Sequence, residues 1–172
     1  MMSSIAEAVR GQISALSPPP SILPAPRVSV IIPTRNGMHL LQECLEAVWN
    51  QTYRDKETIV VDDASTDDTH DLLIGYPEVK VVTLPGTQGH GFAAAANAGI
   101  KEARGNILVL LNNDAVPDPP WLEELVAALD RNPWAGMAAS RLMMHGKPGT
   151  FHSAGDYYGL NGVPGSRGVW KR

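Results

Sequence analysis

The stretch GNILVLLNNDAVPDPPWLEELV, from Gly105 to Val126, indicates the kind of fold that this chain adopts. Its apolar run 107–111 is short and partly β-branched, which is typical of a strand buried on both faces in a parallel sheet. Asp118 is a potential helix cap, and apolar residues recur at helical spacing after it: Leu122, Leu125, Val126 and Leu129. The stretch therefore predicts a central strand, a polar loop and then a helix.

Strands and helices alternate in the same way from Arg27 onward. The patterns predict strands at 27–33, 57–63, 79–85 and 106–112, helices at 39–51, 65–76, 91–103 and 119–131, and a fifth strand at 135–144. Ser65 or Thr66 is the expected cap of the second helix, and the small side chains of the third helix suit a close approach to the sheet. This order predicts an α/β fold with an open, mostly parallel, Rossmann-like sheet and helices on both faces.

Length and composition narrow the class of protein. The chain has 172 residues and a net charge of −4, which favours one domain and gives no basic stripe for nucleic acid. A single cysteine, Cys44, excludes an internal disulfide and suits a reducing compartment. We expect an N-terminal tail and Pro-rich linker at 1–26 and one domain at 27–172. The first residues lack the pattern of a secretory signal, and no apolar run reaches the ~20 residues of a membrane helix.

Polar residues follow three of the predicted strands at the point where each strand ends. The segment 33–37 follows the first strand, Asp62 and Asp63 the second, and 112–114 the fourth. The carboxyl ends of parallel strands meet at one edge, where ligands bind in open α/β sheets. Two carboxylates about 4 Å apart repel by roughly 1 kcal/mol in water, and by about 4 kcal/mol at an intermediate dielectric. Such a cluster favours a cation such as Mg²⁺ or Mn²⁺, although Asp62 or Asp63 as a helix cap is an open alternative.

Several nucleotide-binding signatures are missing from the sequence. No G-x-G-x-x-G follows the first strand, and no G-x-x-x-x-G-K-[ST] occurs, which argues against a dinucleotide fold and against a P-loop. The five histidines do not pair at metal-ligand spacing.

Four blocks in order carry a family resemblance. They are VSVIIPTRNG at 28–37, TIVVDDASTDDT at 58–69, GFAAAANAGI at 91–100 and LVLLNNDAVPDPPWLEELV at 108–126. Together they resemble the nucleotide-binding half of the inverting family-2 glycosyltransferases, whose fold is named GT-A. The likeness runs from about Arg27 to about Gly162, and LNND with the later SAGDYYG is similar to the rhamnosyltransferase-like branch.

The resemblance implies a donor site at matching positions of this chain. Arg35 would reach a phosphate, Asp63 would accept a hydrogen bond from the base or ribose, and Asp114 would bind Mg²⁺ or Mn²⁺. Asn112 stands where many members have aspartate, which lowers the negative charge of the site. The full set of implied nucleotide-sugar contacts is Pro33, Thr34, Arg35, Asn36, Asp62, Asp63, Phe92, Asn97, Asn112 and Asn113.

The function that the resemblance implies is metal-dependent, inverting transfer of a sugar from a UDP- or dTDP-type donor to a hydroxyl acceptor. The acceptor would be a glycan or a lipid-linked glycan of cell-wall or polysaccharide biosynthesis, in the cytoplasm or at the inner face of the membrane. No nucleic-acid partner is expected. Two alternatives stay open: a non-catalytic nucleotide-sugar-binding module, and a nucleotidyltransferase, which would carry a glycine-rich basic loop after its first strand.

The sequence departs from the family after the metal motif. Family members usually continue into an acceptor half that supplies the general base, whereas here the only carboxylates after Glu124 are Asp130 and Asp156. We therefore expect a donor-binding half that is inactive alone, an unknown catalytic base for which Asp156 is a candidate, and self-association through the apolar segment 151–170.

Overall fold

A computed structural model describes residues 24–144, 146–147, 149–158 and 164–166 of the chain. The expected tail lies almost entirely outside these residues, and the boundary after residue 26 stays a prediction. The elements in chain order are β1 (Val28–Thr34), α1 (Met38–Trp49), β2 (Lys56–Asp62), α2 (Thr69–Ile74), β3 (Lys80–Thr83), α3 (Phe92–Glu102), β4 (Ile107–Leu110), α4 (Trp121–Arg131), β5 (Leu142–Met143), β6 (Phe151–Ser153), β7 (Asp156–Tyr158) and β8 (Pro164–Ser166). The described residues form two compact units, one of residues 24–36 and 55–112, the other of 37–54 and the described residues from 113 onward.

The first unit contains a four-stranded parallel sheet in the order β3-β2-β1-β4. Strand β1 pairs with β2 on one side and with β4 on the other, so the direction in which the sheet grows reverses at β1. Such a reversal leaves a crevice at the carboxyl ends of the strands, which is the usual ligand position in this architecture. The predicted α/β class with a parallel sheet is confirmed.

The core of this unit lies between the sheet and helix α3. Every residue of β1 is buried, and Ile31 packs with Ile59 and Val61 of β2 and with Ala95 of α3. A Cβ added at Gly99 would collide with the Ile31 side chain and lie 3.0 Å from a Val61 methyl carbon. The small residues of α3 therefore set its close approach to the sheet, as the sequence predicted.

A polar network fastens the amino ends of β1 and β2 to the turn before β4. The Glu57 carboxylate accepts hydrogen bonds from Ser29 Oγ at 2.6 Å and from the Arg104 backbone N–H at 2.7 Å. Arg104 Nε also donates to Glu57 at 2.9 Å, and Ser29 Oγ accepts from the Gly105 N–H at 2.8 Å. Burial raises the pKa of the Glu57 carboxyl. The hydrogen bonds from Ser29 and Arg104 and the arginine charge together lower it by more, so the pKa lies below its ordinary value.

Strand β4 corrects one prediction from the sequence. Two of its residues, Leu108 and Leu110, are 45% and 48% exposed, so the strand is not buried on both faces. Among the described strands β4 pairs only with β1, and it therefore forms an edge of the sheet. An unbroken apolar run does not distinguish an edge strand from a central one.

The second unit contains α1, α4 and two short antiparallel pairs, β5 with β6 and β7 with β8. Gln51, just after α1, is completely buried, and its amide nitrogen donates to the carbonyl of Asp118 at 2.9 Å and to that of Ala47 at 3.1 Å. Its amide oxygen accepts from the Leu122 N–H at 2.9 Å, at the start of α4. The expected cap by Asp118 is wrong, because α4 has no local side-chain cap and Gln51 satisfies one of its first N–H groups.

The expected fifth strand at 135–144 is also wrong over most of its length. Only Leu142 and Met143 are extended in a pair, and their partner is the antiparallel strand β6. Glycine and alanine dominate the segment before them, and both have low strand propensity. Among the described residues, no helix is long and apolar enough to cross a membrane.

Candidate functional site

The loops after β1 and β2 hold each other at the carboxyl edge of the sheet. Asn36 Oδ1 accepts a hydrogen bond from the Thr66 N–H at 2.7 Å, and the Asn36 N–H donates to Ser65 Oγ at 2.9 Å. The Asp63 N–H donates to the Thr34 carbonyl at 2.9 Å, which continues the β1–β2 pairing beyond the strands. The two loops therefore form one structure, in which Asn36 contributes both its backbone and its side chain.

We call these hydrogen bonds of Asn36 with Ser65 and Thr66 the Asn36 clasp, and they contradict the predicted cap of α2. The helix begins at Thr69 with no side-chain cap bond, and the residue before it is Asp68. Ser65 and Thr66, the predicted caps, serve the Asn36 loop instead. The loop after β1 binds the polar groups that would otherwise cap the helix, and local sequence does not show where that loop lies.

Two residues of these loops adopt left-handed backbone conformations that are unusual outside glycine. Asn36 has φ of 49° and Ala64 has φ of 58°. Asparagine tolerates this region, whereas for alanine it costs about 1–2 kcal/mol. The turn at Ala64 is closed by Asp62, whose Oδ1 accepts from the Ser65 N–H at 3.0 Å. Strain of this kind concentrates at functional sites, where the surrounding structure holds it in place.

The Asp63 carboxylate is held by several hydrogen bonds from one neighbouring loop. Its carboxylate accepts from the His90 N–H at 2.8 and 2.9 Å, from the Gly91 N–H at 2.9 Å, and from His90 Nδ1 at 2.9 Å. Burial raises the pKa of Asp63, but the hydrogen bonds from His90 and Gly91 and the His90 charge outweigh it and lower the pKa below its ordinary value. Asp63 thus fixes the loop before α3, a role that neither the ligand interpretation nor the cap interpretation included.

Arg35 lies beside the same loop. A Cβ added at Gly89 would meet Arg35 Cδ at 2.7 Å and Arg35 Nε and Nη1 at 2.8 Å, so the arginine side chain occupies the space that this glycine leaves. Arg35, Asp63 and the segment 89–91 therefore belong to one local arrangement in the first unit. His90 was not recognised from the sequence, and its only signal was its place between two glycines beside the GFAAAANAGI block.

The other implied nucleotide contacts have different degrees of access. Pro33 and Thr34 are buried in β1, whereas Phe92, at the first position of α3, is 56% exposed, and Asn97 is exposed further along the helix. Leu111 continues the β1–β4 pairing through its N–H to the Ile31 carbonyl, and exposed Asn112 follows it at the edge of the sheet. The role of each residue toward a nucleotide stays a prediction.

Asp114 lies in the second unit and is exposed. Burial of the nearby Cys44 thiol, and secondarily the negative charge of Asp114, raise the pKa of that thiol to about 12. The described residues contain no group of three or more His, Cys, Asp or Glu side chains that could hold a metal ion. A single carboxylate fits a cation that takes its other oxygen ligands from a bound diphosphate, which is common for Mg²⁺ sites.

The remaining candidates fall in the less completely described part of the second unit. Asp156 begins strand β7, whose backbone pairs with β8 at Ser166. Its role as a base stays a prediction, as does self-association through 151–170, much of which lies outside the described residues.

Comparison with known proteins identifies the family. The profile described as Glycosyl transferase family 2 matches residues 29–165. The chain is 34% identical over 143 residues to the O-antigen biosynthesis protein RfbC of Myxococcus xanthus, which covers 81% of this chain and 11% of that protein. It is 37% identical over 110 residues to the glycosyltransferase AglE of Haloferax volcanii, covering 60% of this chain and 36% of the relative. The chain belongs to glycosyl transferase family 2.

Solved structures agree with this assignment. The mannosyltransferase PcManGT of Pyrobaculum calidifontis, in complex with GDP-Man and Mn²⁺, is similar with a TM-score of 0.54 and 30% identity over 73% of this chain and 39% of that one. TarS 1–349 of S. aureus, in complex with UDP-GlcNAc, has a TM-score of 0.58 and 25% identity over 69% of this chain and 38% of its own. The chain thus spans well under half the length of these relatives, and the likeness confirms the GT-A-type fold.

Proposed function

We propose that this chain binds a nucleoside-diphosphate sugar together with Mg²⁺ or Mn²⁺, as the donor side of an inverting glycosyltransferase. The observation that carries the proposal is the Asn36 clasp with Arg35 beside it, at the carboxyl ends of β1 and β2. Family membership supports the reaction class. The complexes of similar proteins with GDP-Man and UDP-GlcNAc support this class of donor.

The clasp suits a nucleotide because hydrogen bonds within the protein fix both loops. Asn36 and Ala64 hold left-handed conformations that the paired loops maintain, so little ordering entropy is left to lose on binding. Arg35 adds a permanently charged, planar donor group that recognises phosphate oxygens through paired N–H bonds. We assign Arg35 to the diphosphate, and Thr34 and Asn36 to the nucleoside.

The divalent cation has one proposed protein ligand, Asp114. When bound, the cation supplies Lewis-acid stabilisation to the departing diphosphate. Asp114 would hold the cation, and Arg35 would contact phosphate oxygens of the nucleotide. The acceptor is a hydroxyl compound such as a glycan or lipid-linked glycan, and Asp156 is the candidate that would take its proton.

Titration calorimetry of UDP, dTDP and GDP, each with and without Mn²⁺, tests the proposal. We expect Mn²⁺ to strengthen binding, and Asp114→Ala to remove the strengthening while leaving metal-free affinity in place. Losing a charged hydrogen bond costs about 1.5–3 kcal/mol, so Arg35→Ala should weaken binding roughly tenfold or more. The control is Asp71→Ala, an exposed acidic residue of α2, which should bind like the unmodified chain.

Two results would contradict the proposal. One is the absence of nucleoside-diphosphate binding by the folded chain, and the other is a Mn²⁺ effect that survives in Asp114→Ala. Incubation with nucleotide sugars and hydroxyl acceptors then separates a transferase from a module that binds without turnover, because only the transferase forms a new glycoside.

A further inference from the structure

Charge is distributed unevenly along the chain. Residues 131–172 contain six Lys or Arg and one Asp, a net charge of +5, whereas residues 1–130 contain eight Lys or Arg and seventeen Asp or Glu, a net charge of −9. The sequence has no acidic residue from Arg131 to Gly155. Opposite net charges in two parts of one chain are a sequence signal of a partner that is itself charged.

The start of the basic part also exposes large apolar side chains. Trp134 and Met137 are each 84% exposed, and Leu142 and Met143 are 48% and 44% exposed. Apolar side chains scattered singly over a surface are normal, but four within ten residues of sequence are a concentration of the kind that marks interaction sites.

Two exposed cations accompany these apolar side chains. Arg141 immediately precedes β5, and its guanidinium lies 5.2 Å from the centre of the Phe151 ring. Lys147 lies in the turn between β5 and β6. Arg131 contributes less, because the Glu124 carboxylate lies 4.0 Å from it and offsets its charge. Arg141 and Lys147 are therefore the cations that the segment 131–147 offers to an anionic partner.

Hydrogen bonds within the second unit hold this segment against α4. The indole N–H of Trp121, at the start of the helix, donates to Ser140 Oγ at 2.7 Å. Just after the end of the helix, Asn132 Nδ2 donates to the Ala128 carbonyl at 2.8 Å. The backbone between Asn132 and Ser140 is thus anchored at both ends, so its exposed apolar side chains can meet a partner with little loss of backbone entropy.

We propose that residues 131–147 dock on a lipid bilayer that carries anionic headgroups. A Lys or Arg near such a surface strengthens attachment roughly fivefold, and apolar side chains add to it by entering the boundary between headgroups and acyl chains. Tryptophan is enriched at that boundary because it joins an apolar ring to a polar N–H. Arg141 and Lys147 would contact the headgroup phosphates, and Trp134 and Met137 would enter the boundary.

A bilayer fits this surface better than nucleic acid or a second copy of the chain. Single-stranded nucleic acid binds through cations and stacked aromatic rings, whereas three of the four exposed apolar side chains are not aromatic. A symmetric contact between two copies would bring the same positive charges together, and they would repel. The proposal does not depend on the donor site, because none of these residues belongs to it.

Sedimentation with lipid vesicles tests the electrostatic half of the proposal. We expect the chain to pellet with vesicles of phosphatidylglycerol and phosphatidylcholine in equal parts, and much less with phosphatidylcholine alone. Added salt should weaken the attachment because it screens the charges. Lys147→Gln should lower the vesicle affinity roughly fivefold. The matched control is Lys101→Gln, which removes the same charge from an exposed position of α3 and should bind vesicles like the unmodified chain.

Trp134 tests the apolar half. Trp134→Ser should weaken attachment roughly tenfold or more, because a large apolar side chain no longer leaves water. The control is Trp49→Ser, an exposed tryptophan at the end of α1 that should leave vesicle binding unchanged. Trp134→Phe should still attach, but brominated acyl chains should quench its remaining tryptophan fluorescence less than that of the unmodified chain. Purely electrostatic adsorption would not produce this difference in quenching.

Three results would overturn the proposal. The first is that the chain, folded by circular dichroism, does not bind anionic vesicles. The second is that Trp134→Ser or Lys147→Gln binds them like the unmodified chain. The third is binding to a single-stranded oligonucleotide without binding to vesicles, which would assign the surface to nucleic acid. If the unmodified chain attaches to vesicles but binds no nucleoside diphosphate, the proposed function fails and this proposal stands.

Discussion

The side-chain oxygen of Gln51 accepts a hydrogen bond from the Leu122 N–H at 2.9 Å, across 71 residues of sequence. The same amide donates to the Asp118 carbonyl at 2.9 Å, and Thr52 Oγ1 next to it donates to the Glu123 carboxylate at 2.7 Å. The loop that follows Asp114 thus ends in a helix whose first turn is held by the segment after α1. Gln51 is the buried centre of that connection.

Gln51→Leu should lower the free energy of unfolding by about 2–4 kcal/mol. The substitution keeps nearly the same volume, but it removes the side-chain partner of the Leu122 N–H and of the Ala47 carbonyl, and each unsatisfied group costs about 1–3 kcal/mol. Urea denaturation measures the change. Gln42→Leu is the control, because that exposed amide makes only an i,i+4 bond to Glu46, and its stability should stay within ~0.5 kcal/mol of the unmodified chain.

Glu57 should make the stability of the protein depend on acid pH. Its pKa is lower in the folded chain than in the unfolded chain, so its contribution is fully present above the unfolded value of about 4.3. The contribution is lost as pH falls through the lower folded value. Thermal unfolding measured between about pH 6 and pH 3 should therefore decline less steeply for Glu57→Gln, from a lower starting stability at neutral pH.

The matched control for Glu57 is Glu43→Gln, an exposed position of α1. Its unfolding curve should follow that of the unmodified chain at every pH. Equal slopes for Glu57→Gln and the unmodified chain would mean that the Ser29–Glu57–Arg104 network is not coupled to folding.

Gly99→Ala should destabilise the protein even though alanine is the better helix former. The new methyl group would collide with Ile31 and press on Val61, and overpacking of a filled core typically costs about 1–3 kcal/mol. The gain in helix propensity of about 1 kcal/mol opposes this cost. Ala94→Gly, an exposed site of the same helix, measures that propensity term alone, and a Gly99→Ala variant as stable as the unmodified chain would refute the close contact.

Gly89→Ala should weaken nucleoside-diphosphate binding without a large change in stability. Its Cβ would take the space of the Arg35 side chain, which is flexible and can move away. If Arg35 binds the diphosphate, its displacement should reduce affinity roughly tenfold, and combining the change with Arg35→Ala should add little. Gly136→Ala, where the new carbon meets open space, is the control. Additive effects in the variant that combines Gly89→Ala with Arg35→Ala would mean that the two residues affect binding independently.

The strands and helices that carry the fold were largely predictable because their signals are local. The predicted strand at 27–33 corresponds to Val28–Thr34, and the predicted helix at 91–103 corresponds to Phe92–Glu102. Apolar runs of this length, bounded by Pro, Gly and Asn, allow few other interpretations. The positions of Asp62 and Asp63 at the carboxyl end of β2 followed from the same reasoning.

The partners of the polar residues were not predictable, because they depend on which distant loop arrives. The sequence around Ser65 is typical of a helix cap. In the structure its hydroxyl oxygen instead accepts a hydrogen bond from the Asn36 N–H of the loop after β1. Asp63 has the position of a ligand, and only the fold brings His90 and Gly91 onto it across 27 and 28 residues. Hydrogen bonds over such separations leave no periodic trace in a single sequence.

The burial of Cys44 makes thiol labelling a measure of how often the structure around α1 opens. Its thiol has no exposed surface, and burial together with the Asp114 charge raises its pKa to about 12, so very little reactive thiolate exists in the closed state. It is also the chain's single cysteine, so any alkylation is unambiguous in a mass spectrum. The rate of labelling by iodoacetamide therefore reports the population of the open state in which Cys44 of α1 is exposed. A variant such as Gln51→Leu should raise that rate in proportion to the increase in this population.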